Sequence, residues 1–104
     1  MKIQFNTDKS INGDERHEEY FSGQIAKKLE RFENRITRIE VFLTDENGKK
    51  AGHNDIVCKI EARVEGKNPI TVSEQADSMN LAISGAIDKL KAALETVVGR
   101  MQNH

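Results

Sequence analysis

The side chains best placed to do chemistry in this sequence are basic. Lys27, Arg31, Arg35 and Arg38 follow one another at steps of 4, 4 and 3, with Lys28 beside the first. Helical residues four apart share a face, and like charges so placed repel by roughly 0.2–0.5 kcal/mol per pair. Two explanations account for a chain that tolerates such a stack. Glu30 and Glu33 flank the stripe, and cations are favoured near a helix C-terminus. Alternatively, spaced cations suit a phosphate backbone, which rewards them through counterion release. A later segment adds Lys89 and Lys91, then nothing basic until Arg100.

Other chemistry is hard to find. The sequence has no G-x-x-x-x-G-K-[ST], H-E-x-x-H or G-x-S-x-G pattern. Asp45-Glu46-Asn47-Gly48 has the composition of a calcium-loop start, but its Gly comes too early and no Glu closes the loop, so a hairpin turn is expected. His17, His53 and His104 lack a Cys or His at ligand spacing, so no metal site is expected. Cys58 alternates with Ile56 and Ile60 on the apolar side of a strand pattern and reads as a small buried hydrophobe. The adjacent Glu18 and Glu19 read as solvated helix carboxylates. The expectation is a non-enzymatic protein with no cofactor and no small-molecule substrate.

The elements that position the cations follow from periodicity. Lys2–Asn6 alternates and reads as a short strand. Asn12-Gly13-Asp14 reads as a turn into a helix, along which Phe21, Ile25, Leu29, Phe32 and Ile36 form one apolar stripe about five turns long. Arg38–Thr44 switches to period two, with Ile39, Val41 and Leu43 on one side. Residues 56–65 alternate most clearly, Gly66-Lys67-Asn68-Pro69 turns the chain, and Ile70 and Val72 begin a fourth strand. Short links in this half suit antiparallel neighbours. Asp77 or Ser78 is placed to cap a last helix whose stripe is Met79, Ile83, Ile87, Leu90, Leu94, Val97 and Met101. The expected fold is α+β: a two-layer β-α-β-β-β-α sandwich, with a four-stranded sheet carrying two long helices on one face. The small residues Ala82, Gly85, Ala86, Ala92 and Ala93 would either pack within the domain or admit another helix.

Composition sets the bounds. The 104 residues suit one domain, 1–104. Sixteen Lys+Arg against seventeen Asp+Glu give a net charge of −1, which excludes a wholly basic nucleic-acid arm but not a local basic patch. No apolar run approaches a membrane span and no signal-peptide core opens the chain, so a cytoplasmic protein without a membrane partner is expected. One cysteine permits no internal disulfide. The outward side of the strands mixes charges and lacks the aromatic pair of an RNA-stacking sheet, with Phe42 its only candidate and Tyr20 on a helix. RNA, if bound, falls to the helices.

Short motifs carry a family resemblance. Lys28-Leu29-Glu30-Arg31-Phe32 resembles K-L-E-+-[FY] at the end of the first helix of the ribosome hibernation-promoting factor / ribosome-associated inhibitor family, also labelled sigma-factor modulation proteins. Arg35-Ile36 followed by Ile39-Glu40-Val41-Phe42-Leu43 resembles that family's entry into its second strand. Asp77-Ser78-Met79-Asn80-Leu81-Ala82-Ile83 resembles its D-M-Y-x-A-I, and Asp88-Lys89-Leu90 its [ID]-K-L. The resemblance covers nearly the whole chain and implies a fold similar to a double-stranded-RNA-binding domain.

It further implies a translation inhibitor that binds small-subunit rRNA in the mRNA and tRNA channel during slow growth or stress. Carried over by position, with Lys27 added from the charge stripe, the RNA-binding residues would be Lys27, Lys28, Arg31, Arg35, Lys89 and Lys91. The partner would be the small ribosomal subunit, and the protein a monomer when free. Longer relatives carry a second, dimerising domain, which a chain ending at His104 would lack. Two departures stand out. The dense basic stretch usual after K-L is replaced by Lys91-Ala92-Ala93-Leu94-Glu95-Thr96-Val97-Val98-Gly99-Arg100, and the aromatic after D-M by Asn80 or Leu81. They motivate an alternative: a protein-interaction or stress-response module that kept the fold and lost ribosome binding.

Overall fold

The computed structural model describes residues 1–7, 15–46 and 56–102. The expected turn at 12–14, the part of the turn expected from Asp45 that lies beyond Glu46, and His53 and His104 fall outside them, while Asp45 itself ends β2. The elements are β1 (Lys2–Thr7), α1 (Glu15–Lys28), a single 3-10 turn (Glu30–Phe32), β2 (Ile36–Asp45), β3 (Ile56–Val64), β4 (Ile70–Ala76) and α2 (Met79–Gln102). The α+β order β-α-β-β-β-α is therefore the one observed.

One sheet holds the strands in the order β1-β2-β3-β4. β1 pairs parallel to β2, from Lys2 opposite Arg38 to Thr7 opposite Leu43. Parallel neighbours need a crossover, and α1 supplies it. β2 with β3 and β3 with β4 are antiparallel. At the β3–β4 turn Gly66 has φ +77°, a conformation that favours glycine, and Lys67 N–H donates to the Val64 carbonyl at 3.0 Å.

Alternation puts Ile39, Val41 and Leu43 of β2, with Cys58, Ile60, Ala62 and Val64 of β3, on the covered side of the sheet. Phe21 and Ile25 meet them from α1, Leu29 from just past its end, and Ile83, Ile87, Leu90 and Leu94 from α2, in one cluster. Along α2 the buried stripe passes from Leu94 to Val98, while Val97 is half-buried. The expected step of three, from Leu94 to Val97, is thus replaced by one of four at this end of the helix. Ala82 and Ala86 are fully buried, which commits them to packing inside the domain. Ser78 is the cap, its Oγ accepting from Leu81 N–H at 3.2 Å.

The first helix is shorter than its stripe predicts. Leu29 leaves helical geometry at φ −106°, ψ 13°. The last α-type bond runs from Leu29 N–H to the Ile25 carbonyl at 3.0 Å. From there Phe32 bonds back to Leu29, Glu33 to Glu30 and Arg35 to Phe32, each three residues apart. A 3-10 turn repeats every three residues, so Phe32 keeps the buried side that Leu29 occupied. Ile36 is buried as the first residue of β2, opposite Val64.

Candidate nucleic-acid interface

α1 runs against β1 and β2, while α2 runs against β4, which is itself parallel to β2. The helices therefore lie side by side pointing the same way. Two ion pairs register them: Lys28 Nζ to Asp88 at 3.8 Å, and Arg31 to Glu95 at 3.6 Å, about two turns further along α2. The Arg31 guanidinium also stands over the buried Phe32 ring, 5.0 Å from its centroid.

An open cleft of about 510 Å³ lies at this junction, lined by Gln24, Lys27, Lys28, Glu30, Arg31 and Lys91. It gathers four of the basic residues the sequence singles out: Lys27 and Lys28 from the end of α1, Arg31 from the 3-10 turn and Lys91 from α2. Lys27 and Lys91 make no ion pair among the described residues. The Lys28 and Arg31 pairs are exposed, with side chains 44% and 65% accessible. Pairs this wet contribute about 0–1 kcal/mol, so a phosphate can replace either carboxylate at small cost. The cleft is thus a concave cationic surface suited to a polyanion.

The remaining candidates lie elsewhere. Arg35 is in the turn before β2; its N–H donates to Phe32 and its carbonyl accepts from Glu65. The expected single helical face of Lys27, Arg31 and Arg35 does not exist, because the α-helix stops at Lys28. Lys89 turns to the other flank of α2, where Nζ donates to the Ser73 carbonyl at 2.8 Å and to Glu74 at 3.2 Å, tying α2 to β4. Glu74 runs beneath Gly85, where an added Cβ would lie 2.7 Å from its Cγ, so Gly85 is part of the same contact. Arg38 belongs to the outer face of the sheet, bonded to Gln4 and paired with Glu40.

Charge separates this cleft from a second one of about 640 Å³ between β1 and α1. That cleft is lined by Lys2, Ile3, Gln4, Phe5, Glu18, Glu19 and Ser22. Its two carboxylates against one ammonium repel a phosphate. Cys58 is fully buried, and burial pushes its thiol up to about 12, far from a nucleophile's range. Among the described residues there is no group of three or more metal-ligating side chains, and no helix is long and apolar enough to cross a membrane.

The charge pattern alone did not bring out Gln24, Asp88 and Glu95. Their signal is spacing: Gln24, Lys27, Lys28 and Arg31 step by 3, 1 and 3, and Asp88, Lys91 and Glu95 by 3 and 4. Facing parallel helices then alternate acid and base across the junction.

Residues 6–102 match the family described as sigma 54 modulation protein / S30EA ribosomal protein. No curated protein sequence matches the chain. Among solved structures, the protein Y N-terminal domain of Thermus thermophilus is similar at a TM-score of 0.75 and 17% identity, covering 93% of this chain and 99% of that one. A ribosomal subunit interface protein from Coxiella burnetii is similar at a TM-score of 0.74 and 18% identity, covering 95% and 99%.

Proposed function

The chain belongs to the sigma 54 modulation protein / S30EA ribosomal protein family, and from that membership we propose a non-enzymatic, ribosome-associated translation inhibitor. Its two-helix face docks on small-subunit rRNA in the mRNA and tRNA channel and occupies it during slow growth or stress. The observation that carries this reading is the convergence of Lys27, Lys28, Arg31 and Lys91 on one cleft. The name of the Coxiella burnetii neighbour, a ribosomal subunit interface protein, supports the same partner.

Binding is electrostatic in this account. Phosphates enter the cleft, displace the carboxylates of Asp88 and Glu95 from Lys28 and Arg31, and release their own counterions. Each cation engaged adds about 0.7–0.9 to the slope of log affinity against log salt. Lys27 and Lys91 contribute most, having no carboxylate to give up, and Lys89 contributes least because it holds β4. Arg35 flanks the site from the turn. Inhibition follows from occupancy, with no bond made or broken and no cofactor required.

One observation favours the alternative of an interaction module that has lost the ribosome: Asp88 and Glu95 already neutralise half of the cleft's cations. Co-sedimentation with small subunits on sucrose gradients, at low and then physiological salt, separates the two. The proposed function predicts saturable binding that weakens steeply with salt; the alternative predicts none at any salt.

A further inference from the structure

We propose that Tyr20 is a stacking platform for an unpaired RNA base whose flanking phosphates enter the neighbouring cleft. The inference rests on the rRNA-docking reading above and deepens it: the ligand at this end of the site is single-stranded.

Tyr20 is 56% exposed, and with Leu81 it is one of the two large apolar side chains left open to solvent among the described residues. Its ring is held in place. The hydroxyl accepts a hydrogen bond from Gln24 Nε2 at 2.7 Å, and the ring meets Phe21 edge-on at 5.2 Å and 65°. Phe21 is buried in the core, so the contact fixes the ring against a rigid neighbour. One face of an exposed aromatic is thus oriented in advance and loses little freedom when something stacks on it.

Gln24 links the ring to the cations, because the same side chain that binds the Tyr20 hydroxyl also lines the cleft. Tyr20, Gln24, Lys27, Lys28 and Arg31 lie along one side of the α1 end. About 10 Å of helix separates Tyr20 from Lys27, a span that a nucleotide and a lysine side chain together bridge. An aromatic face beside spaced cations is the arrangement by which proteins hold single strands: the ring takes a base, and the cations take the backbone. A duplex cannot use it, since its bases are already stacked.

Tyr20 is the chain's only tyrosine and there is no tryptophan, so the tyrosine emission of the unmodified protein reports this ring alone. Titration with a short single-stranded RNA is expected to quench that emission saturably, and the matching duplex to leave it unchanged. In ribosome co-sedimentation Tyr20→Ala is expected to weaken binding roughly 5- to 150-fold, the loss of one base–aromatic stack, with the salt slope unchanged. Tyr20→Phe, which keeps the ring, is expected to bind like wild type. If Tyr20→Ala binds as tightly as wild type while Lys27→Ala/Lys91→Ala is weakened, stacking is overturned and rRNA docking stands. An affinity loss accompanied by a shallower salt slope also overturns it, because the ring would then act only by placing the cations. Failure of wild type to bind ribosomes at any salt overturns the docking reading beneath it.

Discussion

Cys58 carries the chain's single thiol and sits fully buried on β3, facing the helices. Burial raises its pKa from 9.0 to about 12. Below pH 9 the thiol is protonated in both folded and unfolded chains, so it has no effect on the pH dependence there. Above pH 9 the unfolded chain releases the proton and the folded one does not, which favours unfolding until the pH passes about 12. Alkylation of the native protein at neutral pH should therefore be negligible and become rapid on denaturation, and midpoint denaturant concentrations should fall as pH rises through 9 toward 12. Fast labelling of the native state would show the thiol to be accessible. The reading of Cys58 as a buried hydrophobe was legible from alternation alone. The basic residues were legible as charges but not as roles. Lys89 and Lys91 are two positions apart, about 200° around the helix, and that angle sends one to Glu74 of β4 and the other into the cleft.

The strands and α2 were readable at the level of elements because one period governs each of them. The end of α1 was not, because two periods meet there. A stripe at steps of 4, 4, 3 and 4 fits a continuous α-helix, yet it equally fits an α-helix, a 3-10 turn and a strand whose buried residues continue one line. No glycine or proline marks the change, so composition offers no stop signal. The consequence falls on the candidate site: the 3-10 turn sets Arg31 over Phe32 and opposite Glu95, while Arg35 is carried away. Phe32 is both core residue and seat for the cation. Phe32→Ala should cost about 3–5 kcal/mol of stability in denaturant unfolding, as large-to-small core changes do. A loss below about 1 kcal/mol would mean that the turn is not anchored by this ring. The parallel pairing of β1 with β2 was implicit in the order strand–helix–strand, whereas the bulge between Ile36 and Arg38 had no sequence signal.

At the scale of the whole molecule, a net charge of −1 conceals an uneven distribution of charge among the described residues. Four cations share the cleft between the helices, while Glu18 and Glu19 line the one on the opposite side of α1. Such a distribution orients an approaching polyanion toward one face without making the protein basic overall. The fold has outlasted most of the sequence, with a TM-score of 0.75 at 17% identity, because a two-layer sandwich asks only for the right alternation and stripes. Beyond Lys91 the last helix offers Glu95, where the family resemblance leads one to expect further cations. Whether the inter-helix cleft binds ribosomal RNA is decided by co-sedimentation of wild type, Lys27→Ala/Lys91→Ala and the control Lys67→Ala with small subunits across a salt series. The expected results are saturable wild-type binding, an unchanged Lys67→Ala, and a double variant with lower affinity whose salt slope is shallower by about 1.5. A double variant that binds with wild-type affinity and slope would contradict RNA binding at the cleft.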